Sequence, residues 1–275
     1  MVREMEIRNY SPRTIKTYIS LLVRISQYYK QCPSQLSADQ LKDYLGYLVR
    51  VKGQSIASIN QTISAVKILV QDVAGRPWEE VKIKRPRKSH YLPDVLSLEE
   101  VMSMLEHTPN IKHKTILAVL YSAGVRRDEL LQLKPRDIDS KRMMIRVRSG
   151  KGNKSRDTLL ANNTLALLRK YFSMAHPRPT VYLFEGFKAG VPYSATSVSN
   201  IVKRAVKRAG ISKDIHVHSL RHAFATHLLE QGANLKVIQK LLGHTSLRST
   251  MVYLHLARVD STTVQSPIDQ TSLAL

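Results

Sequence analysis

Six polar side chains in the second half of the chain have types and positions that suit one kind of chemistry. His218 and Arg221 are three residues apart at the start of a predicted helix, so they share a face. The full set is Arg126, Lys151, His218, Arg221, His244 and Tyr253. Together they suit transfer of a phosphodiester without a metal ion, because side-chain cations supply the positive charge that a metal would otherwise bring.

Each of these residue types answers one requirement of that reaction. Arginines can bind the non-bridging oxygens of the transition state through paired hydrogen bonds. A histidine can donate a hydrogen bond or accept the nucleophile's proton, and a lysine can protonate the departing 5′-oxygen. A tyrosine can attack the phosphorus atom and hold the phosphate covalently. Because any one of these side chains alone is more often a surface or packing residue, the prediction depends on the whole set.

The first part of the chain is predicted to be all helical. Helix starts are predicted at Ser11, Ser37 and Ser55, and Ser37 forms a capping box with Gln40. Gly75 predicts the end of the third helix, and a proline follows it. We expect a small helical bundle over residues 1–85.

The second part is predicted to combine helices with a small antiparallel sheet. Residues 143–148 alternate between polar and apolar side chains, glycines supply a tight turn, and residues 155–160 return as the paired strand. A capping box of Ser97 and Glu100 starts the first helix of this part. Further helices are predicted near residues 111–123, 127–133, 163–173, 195–209, 219–231, 235–242 and 246–257. The expected class is mainly α with a small antiparallel β-sheet (α+β).

The charge of the chain indicates a polyanionic partner. The 275 residues include 43 Lys and Arg against 21 Asp and Glu, a net charge of +22, and both halves are basic. Such an excess repels itself unless a polyanion or salt screens it. No stretch is long and apolar enough to span a bilayer, and the N-terminus has no apolar signal core, so no membrane is expected. The single cysteine, Cys32, favours a reducing cytosol.

A basic, proline-containing stretch separates the two halves. Residues 82–93 contain five basic residues and no acidic one. We predict a linker over residues 86–93, with a second domain over residues 94–275 that ends in a polar tail. Side chains of this stretch that could lie along DNA phosphates are Lys82, Lys84, Arg85, Arg87 and Lys88.

Four sequence boxes of the second half resemble one known family. The boxes are GVRRDEL (124–130), GKGNKSR (150–156), HSLRHAFATHLL (218–229) and LLGHTSLRSTMVYLH (241–255). They resemble the signatures of the tyrosine recombinase (phage integrase) family, in the style of Xer-like bacterial site-specific recombinases. The resemblance implies a two-domain DNA clamp, with an N-terminal helical core-binding domain and a catalytic domain. It also implies strand cleavage and rejoining through a 3′-phosphotyrosyl intermediate and a Holliday junction.

The resemblance also implies a role for each matching residue. Arg126 and Arg221 match the family's two arginines, and Tyr253 matches the nucleophile. Lys151 matches the hairpin lysine better than Lys154 does. His218 matches the histidine of the H-x-x-R pair, and His244 a position filled by His or Trp. Glu129 matches an acidic position that supports the active site.

The same resemblance implies partners, and it implies no cofactor. The partner is double-stranded DNA with a specific recombination site, on which the protein self-assembles, as a tetramer in the synapse. The chain lacks room for an additional N-terminal arm-binding domain, which favours a simple recombinase. The expected location is the cytoplasm, associated with the nucleoid when DNA is bound.

Three other interpretations remain open on the sequence alone. A type IB topoisomerase uses a similar set of tyrosine, arginine and lysine, and a DNA-binding protein without catalysis would also be basic. The third interpretation is a structural zinc site formed by the histidines at 216, 218, 222 and 227. No cysteine or acidic ligand stands at a matching spacing. We therefore expect His222 and His227 to pack or hydrogen-bond within their helix. No metal site is predicted.

Overall fold

The computed structural model describes residues 1–78, 83–86, 94–148 and 155–257. The chain divides into two compact units, Met1–Tyr91 and Leu92–Leu275. The described residues of each unit enclose a hydrophobic core of their own. Among the described residues, no helix is both long and apolar enough to cross a membrane.

The described part of the first unit is helical, as predicted. Its helices are α1 (Val2–Ile7), α2 (Pro12–Tyr29), α3 (Ala38–Arg50) and α4 (Ile56–Lys67), with a 3₁₀ turn at Pro33–Gln35 and a π-helical turn at Ile68–Val73. The caps form at the predicted serines: Ser11 accepts a hydrogen bond from the Thr14 amide at 3.1 Å, and Ser37 and Gln40 form a reciprocal capping box. These local hydrogen bonds satisfy amides that a helix leaves free at its start.

Two features of the first unit differ from the sequence prediction. Helix α1 was not predicted; it buries Met5 completely, and Arg8 at its end pairs with Asp72 at 2.7 Å. The third predicted helix is α-helical only to Lys67 and then winds more widely before it ends near Gly75. A buried methionine and a long-range ion pair stabilise α1, and neither gives a local sequence signal.

The second unit carries eight described helices and a three-stranded sheet. In chain order its elements are α5 (Leu98–Glu106), α6 (Ile111–Ser122), α7 (Arg127–Gln132), β1 (Ile138–Asp139), β2 (Met144–Val147), β3 (Arg156–Leu159), α8 (Asn162–Met174), α9 (Ala195–Arg208), α10 (Val217–Glu230), α11 (Leu235–Leu242) and α12 (Arg248–Met251), followed by a 3₁₀ helix at Val252–His255. Helix α6 is buried along most of its length, and α8 and α10 pack against it. The mainly α class with a small antiparallel sheet is confirmed.

The sheet is antiparallel in the order β1-β2-β3. Val147 pairs with Arg156 and Met144 with Leu159, so the predicted pairing of these two strands is confirmed. Strand β1 was not predicted; it is only two residues long and is held by its pairing with β2.

The last predicted helix, residues 246–257, is not a continuous α-helix. Four α-helical residues are followed by a 3₁₀ helix that contains Tyr253. Winding at three residues per turn brings residues three apart onto one face. Thr250 and Tyr253 are both buried on that face.

Candidate active site

Arg126 stands at the N-terminus of α7, directly after a tight turn. Gly124 in that turn has φ +56°, and a Cβ there would collide with the ring of Phe224, so both conformation and packing require glycine. The Arg126 amide donates to Glu129 Oε2 and its Nη1 donates to Glu129 Oε1, both at 2.7 Å. The Arg126 side chain remains a quarter exposed, so it faces both the protein and solvent.

Arg221 lies on α10 and is almost fully buried, with 1% of its surface exposed. Its Nη1 donates to the Gly124 carbonyl and its Nη2 to the Leu242 carbonyl, each at 2.6 Å. Burial, with the nearby charges of Arg126 and Arg156, lowers the pKa of Arg221 to about 10. The guanidinium therefore stays charged at neutral pH and joins the first box to the end of α11.

Glu129 is the buried acid around which the arginines meet. Arg156 donates from Nη1 and Nη2 to its two carboxylate oxygens at 2.8 and 2.7 Å, and Arg221 Nη1 lies 3.9 Å away. Burial alone would raise the pKa of Glu129, but the hydrogen bonds and charge of Arg156, with the hydrogen bonds of Arg126, hold it at about 2. Three arginines against one carboxylate leave this cluster cationic.

Two histidines of α10 lie beside the arginines. The rings of His218 and His222 meet edge to face, with centroids 4.8 Å apart. Burial and the charges of Arg221 and Arg126 lower the pKa of His218, and burial with His218 and Arg221 lowers that of His222 to about 4. Both rings are therefore neutral at pH 7.

His244 follows the end of α11 and stacks on Tyr253. The two rings are nearly parallel, with an interplanar angle of 7° and centroids 6.4 Å apart, and His244 Nδ1 lies 2.9 Å from Thr250 Oγ1. Burial and the charge of Arg221 lower the pKa of His244 to about 4. This histidine is also neutral at pH 7.

Tyr253 is buried, with 1% of its surface exposed. Its ring lies between His244 and His222, whose centroid is 5.7 Å away. Burial raises the pKa of its hydroxyl, while the charges of Arg221 and Arg126 act to lower it. The arginines thus favour ionisation of the hydroxyl that the apolar surroundings oppose.

A groove of about 870 Å³ opens beside Arg126 and His218. Helices α7 and α9 contribute Gln132, Ser199 and Lys203 to its walls. The site arginine and histidine therefore border a space large enough for a segment of a bound chain.

The structure brings five of the six predicted catalytic residues, and Glu129, into one region. Lys151 and its alternative Lys154 lie outside the described residues, as do Lys82, Arg87 and Lys88. Lys84 is exposed. Arg85 donates to the Asn60 carbonyl and to Ser64 Oγ, so its guanidinium binds α4 of its own unit.

Sequence reasoning missed three residues of the site: Arg156, His222 and Thr250. Arg156 stands in the GKGNKSR box at the start of the predicted return strand, and that position was its only signal. The expectation for His227 was wrong, because its Nδ1 lies 2.9 Å from the hydroxyl of Tyr121 on α6, outside its own helix. His222 does pack within its helix, but its Nδ1 has no hydrogen-bond partner in the described structure. In the described residues no group of three or more His, Cys, Asp or Glu side chains is arranged to hold a metal ion.

Comparison with family models gives a match over most of the chain. Residues 94–259 match the model of the phage integrase family, and residues 1–80 match the phage integrase N-terminal SAM-like domain.

Curated proteins resemble the chain over nearly its whole length. The y4qK protein of Sinorhizobium fredii, named as an integrase/recombinase, is 37% identical over 98% of this chain and 87% of its own. A tyrosine recombinase of Thermosipho africanus is 34% identical, with 91% of each chain covered. Tyrosine recombinase XerA of Pyrococcus horikoshii is 33% identical over 90% of this chain and 85% of its own.

Solved structures share the fold. The crystal structure of XerA recombinase is 30% identical, covers 94% of this chain and 92% of its own, and has a TM-score of 0.57. XerH bound to a palindromic difH substrate is 24% identical and has a TM-score of 0.73, covering 91% of this chain and 78% of its own. A lambda integrase dimer bound to a COC′ core site is 19% identical, with a TM-score of 0.74 and 96% and 94% coverage. The last two likenesses are of fold alone.

Proposed function

Because the chain belongs to the phage integrase family and is a tyrosine site-specific recombinase, we propose that Tyr253 is its nucleophile and that Arg126 and Arg221 bind the scissile phosphate. The observation that carries this assignment is the meeting of three distant boxes around Glu129 and Tyr253. Arg126 comes from the first box, Arg221 from the third, and His244 and Tyr253 from the fourth.

The proposed strand cleavage needs only the tyrosine hydroxyl and the DNA phosphodiester as reactants. The Tyr253 oxygen forms a bond to phosphorus, the bond to the 5′-oxygen breaks, and the products are a 3′-phosphotyrosyl linkage and a 5′-hydroxyl. The reverse attack by a 5′-hydroxyl of the partner strand rejoins DNA and passes through a Holliday junction. No energy source is required, since one phosphodiester replaces another.

Electrostatics support a separate role for each side chain. The charged arginines stabilise the negative charge that gathers on the non-bridging oxygens. Neutral His218 can accept the tyrosine proton, and neutral His244 can donate a hydrogen bond to the phosphate. Lys151 is the proposed acid for the leaving oxygen. Because Tyr253 is only 1% exposed, the proposed attack requires its hydroxyl to move outward to reach a phosphate bound in the groove.

The proposed partner is double-stranded DNA that carries a specific site. Support comes from the net charge of +22 and from the DNA complexes of the structural relatives. We further propose a tetrameric synapse, because exchange between two duplexes needs four cleavage events, and action in the cytoplasm at the nucleoid, where that substrate lies.

A nicked suicide substrate tests the nucleophile, because loss of a short 5′-hydroxyl fragment traps the covalent complex. Wild-type protein is expected to form an adduct that survives denaturing electrophoresis, and Tyr253→Phe is expected to bind the same DNA without forming it. Tyr193→Phe is the matched control: its hydroxyl lies 3.2 Å from the ring of a different histidine, His113, so the adduct should persist. An adduct that persists in Tyr253→Phe would contradict the assignment.

A further inference from the structure

Arg156 makes more contacts within the site than its place in the sequence suggests. It is the first residue of β3, and its side chain is only 7% exposed. Both terminal nitrogens bind Glu129, and Nε donates to the Leu241 carbonyl at 2.7 Å. One guanidinium thus connects the sheet, α7 and the end of α11.

The contact between Arg156 and Glu129 determines how much of the charge of Arg126 is available to an anion. Arg156 binds both carboxylate oxygens in a fork, whereas Arg126 Nη1 binds only Oε1. The buried carboxylate is therefore neutralised from the inner side by Arg156. The charge of Arg126 and its other side-chain donors remain available to an anion at the exposed side.

The contact with α11 fixes the turn before His244. The last carbonyls of a helix carry partial negative charge, and cations bind them favourably. Arg156 donates a hydrogen bond to the Leu241 carbonyl, and Arg221 donates one to the Leu242 carbonyl. Gly243 follows with φ +64°, and a Cβ at this position would lie 2.6 Å from Arg156 Cδ. The turn is therefore built around the Arg156 side chain.

We infer that Arg156 is a positioning residue for strand cleavage: by its fork onto Glu129 it directs the charge of Arg126 toward the scissile phosphate. The inference rests on the proposed function of Arg126 and Tyr253. Lysine cannot replace it, because an ammonium group cannot bind both carboxylate oxygens and the Leu241 carbonyl in one plane.

The test compares two suicide substrates in single-turnover cleavage. One has an ordinary scissile phosphate; the other has a methylphosphonate there, in which a methyl group replaces one charged oxygen. Arg156→Met keeps the apolar stem and loses the fork, so it should cleave the ordinary substrate about 100-fold more slowly than wild type. On the uncharged methylphosphonate the charge of Arg126 matters little. The cleavage rate of the variant divided by that of wild type should therefore approach one.

Two further variants separate electrostatic positioning from folding. In Arg156→Met, Glu129 loses its partner Arg156, and its charge attracts Arg126 more strongly. Adding Glu129→Gln removes that charge and should restore about tenfold of the lost rate. Arg146→Met on β2 is the matched control, because Arg146 forms an exposed pair with Asp157 at 3.2 Å in the same sheet. It should cleave both substrates like wild type.

The remaining outcomes distinguish failure of the inference from failure of the proposed function. If Arg156→Met cleaves both substrates at the wild-type rate, or is slowed equally on both, the inference is overturned while the nucleophile stands. A double variant that does not fold also overturns it, since Arg156 would then be structural. If wild-type protein gives no adduct, or Tyr253→Phe still gives one, the proposed function itself fails.

Discussion

At the scale of single residues, the site keeps its cations charged and its histidines neutral. Burial lowers the pKa of Arg221, His222 and His244 alike, but the arginine starts from 12.5 and stays well above neutral pH, whereas the histidines start from 6.5 and fall further below it. At neutral pH a buried arginine cluster therefore keeps its positive charge, whereas buried histidines are neutral.

The neutral histidines predict a pH dependence of stability for the DNA-free protein. Unfolded histidine binds a proton near pH 6.5, whereas folded His222, facing His218, Arg221 and Tyr253, binds it only near 4. The unfolded state therefore holds more protons between these values, and stability is lost as pH falls from 6.5 toward 4. The melting temperature should fall between pH 7 and pH 5.

In the variant His222→Gln the melting temperature should fall less between pH 7 and pH 5, because the glutamine side chain does not titrate. After allowance for solvent screening, we expect the variant to recover about 1 kcal/mol of the stability lost at pH 5. His107→Gln, at an exposed position directly after the end of α5, should leave the slope unchanged. An unchanged slope in His222→Gln would contradict the neutral state of the buried ring.

The lysine assignment belongs to the same scale and needs a chemical test. Lys151→Ala should be badly impaired on ordinary DNA but nearly normal on a 5′-bridging phosphorothioate, whose sulfur leaves without a proton. Arg126→Ala should stay impaired on both substrates, since its charge serves the non-bridging oxygens. Single-turnover cleavage measures each rate. Rescue of Lys154→Ala instead of Lys151→Ala would move the acid to Lys154.

At the scale of elements, the ends of helices build the site. Arg126 directly precedes α7, His218 lies in the first turn of α10, and His244 follows α11. Helix ends leave backbone groups unpaired, so buried arginines find carbonyl partners there. Two glycines with positive φ, Gly124 and Gly243, give the chain the sharp turns and the close packing that these ends need.

Gly243→Ala should therefore damage both stability and cleavage. The control Gly210→Ala has nearly the same backbone angle, φ +67°, but open space around a new Cβ. Its free energy of unfolding should fall by only about 1 kcal/mol, the cost of placing alanine in a left-handed backbone conformation. Gly243→Ala adds a collision with Arg156, about 1–3 kcal/mol more, and should slow cleavage. Thermal melting and single-turnover rates compare the pair; equal effects would show that Arg156 moves aside freely.

At the scale of the whole molecule, the chain consists of two units with separate cores and a shared excess of positive charge. Separate cores allow each unit to bury its own apolar surface. A net charge of +22 favours association with a polyanion from both units.

We therefore expect the affinity for DNA to depend steeply on salt. Each phosphate contact should contribute about 0.9 to the slope of log affinity against log salt concentration. A fragment covering residues 93–275 should show weaker binding and a shallower slope than the full chain in the same titration. Equal slopes would mean that the first unit contacts no phosphates.

The sequence by itself determined the serine-capped helix starts and the pairing of two strands, and it predicted a candidate catalytic set. Serine caps act over three residues, and strand pairing follows the alternation of side chains along each strand, so both are local properties that a sequence pattern carries. The chemistry could be proposed from the sequence because arginine, histidine, lysine and tyrosine side chains together can supply each group that a metal-free phosphodiester transfer needs.

Only the tertiary structure decided how those groups are held. The bond from Arg156 to Glu129 spans 27 residues and that to Leu241 spans 85, so no local pattern predicts them. Helix α1 and strand β1 likewise depend on distant partners, Asp72 and β2. The burial of Tyr253 between two histidines follows from packing of the last helices on α10. Such contacts form only when the core brings remote segments together, because packing energy depends on three-dimensional neighbours rather than on spacing along the chain.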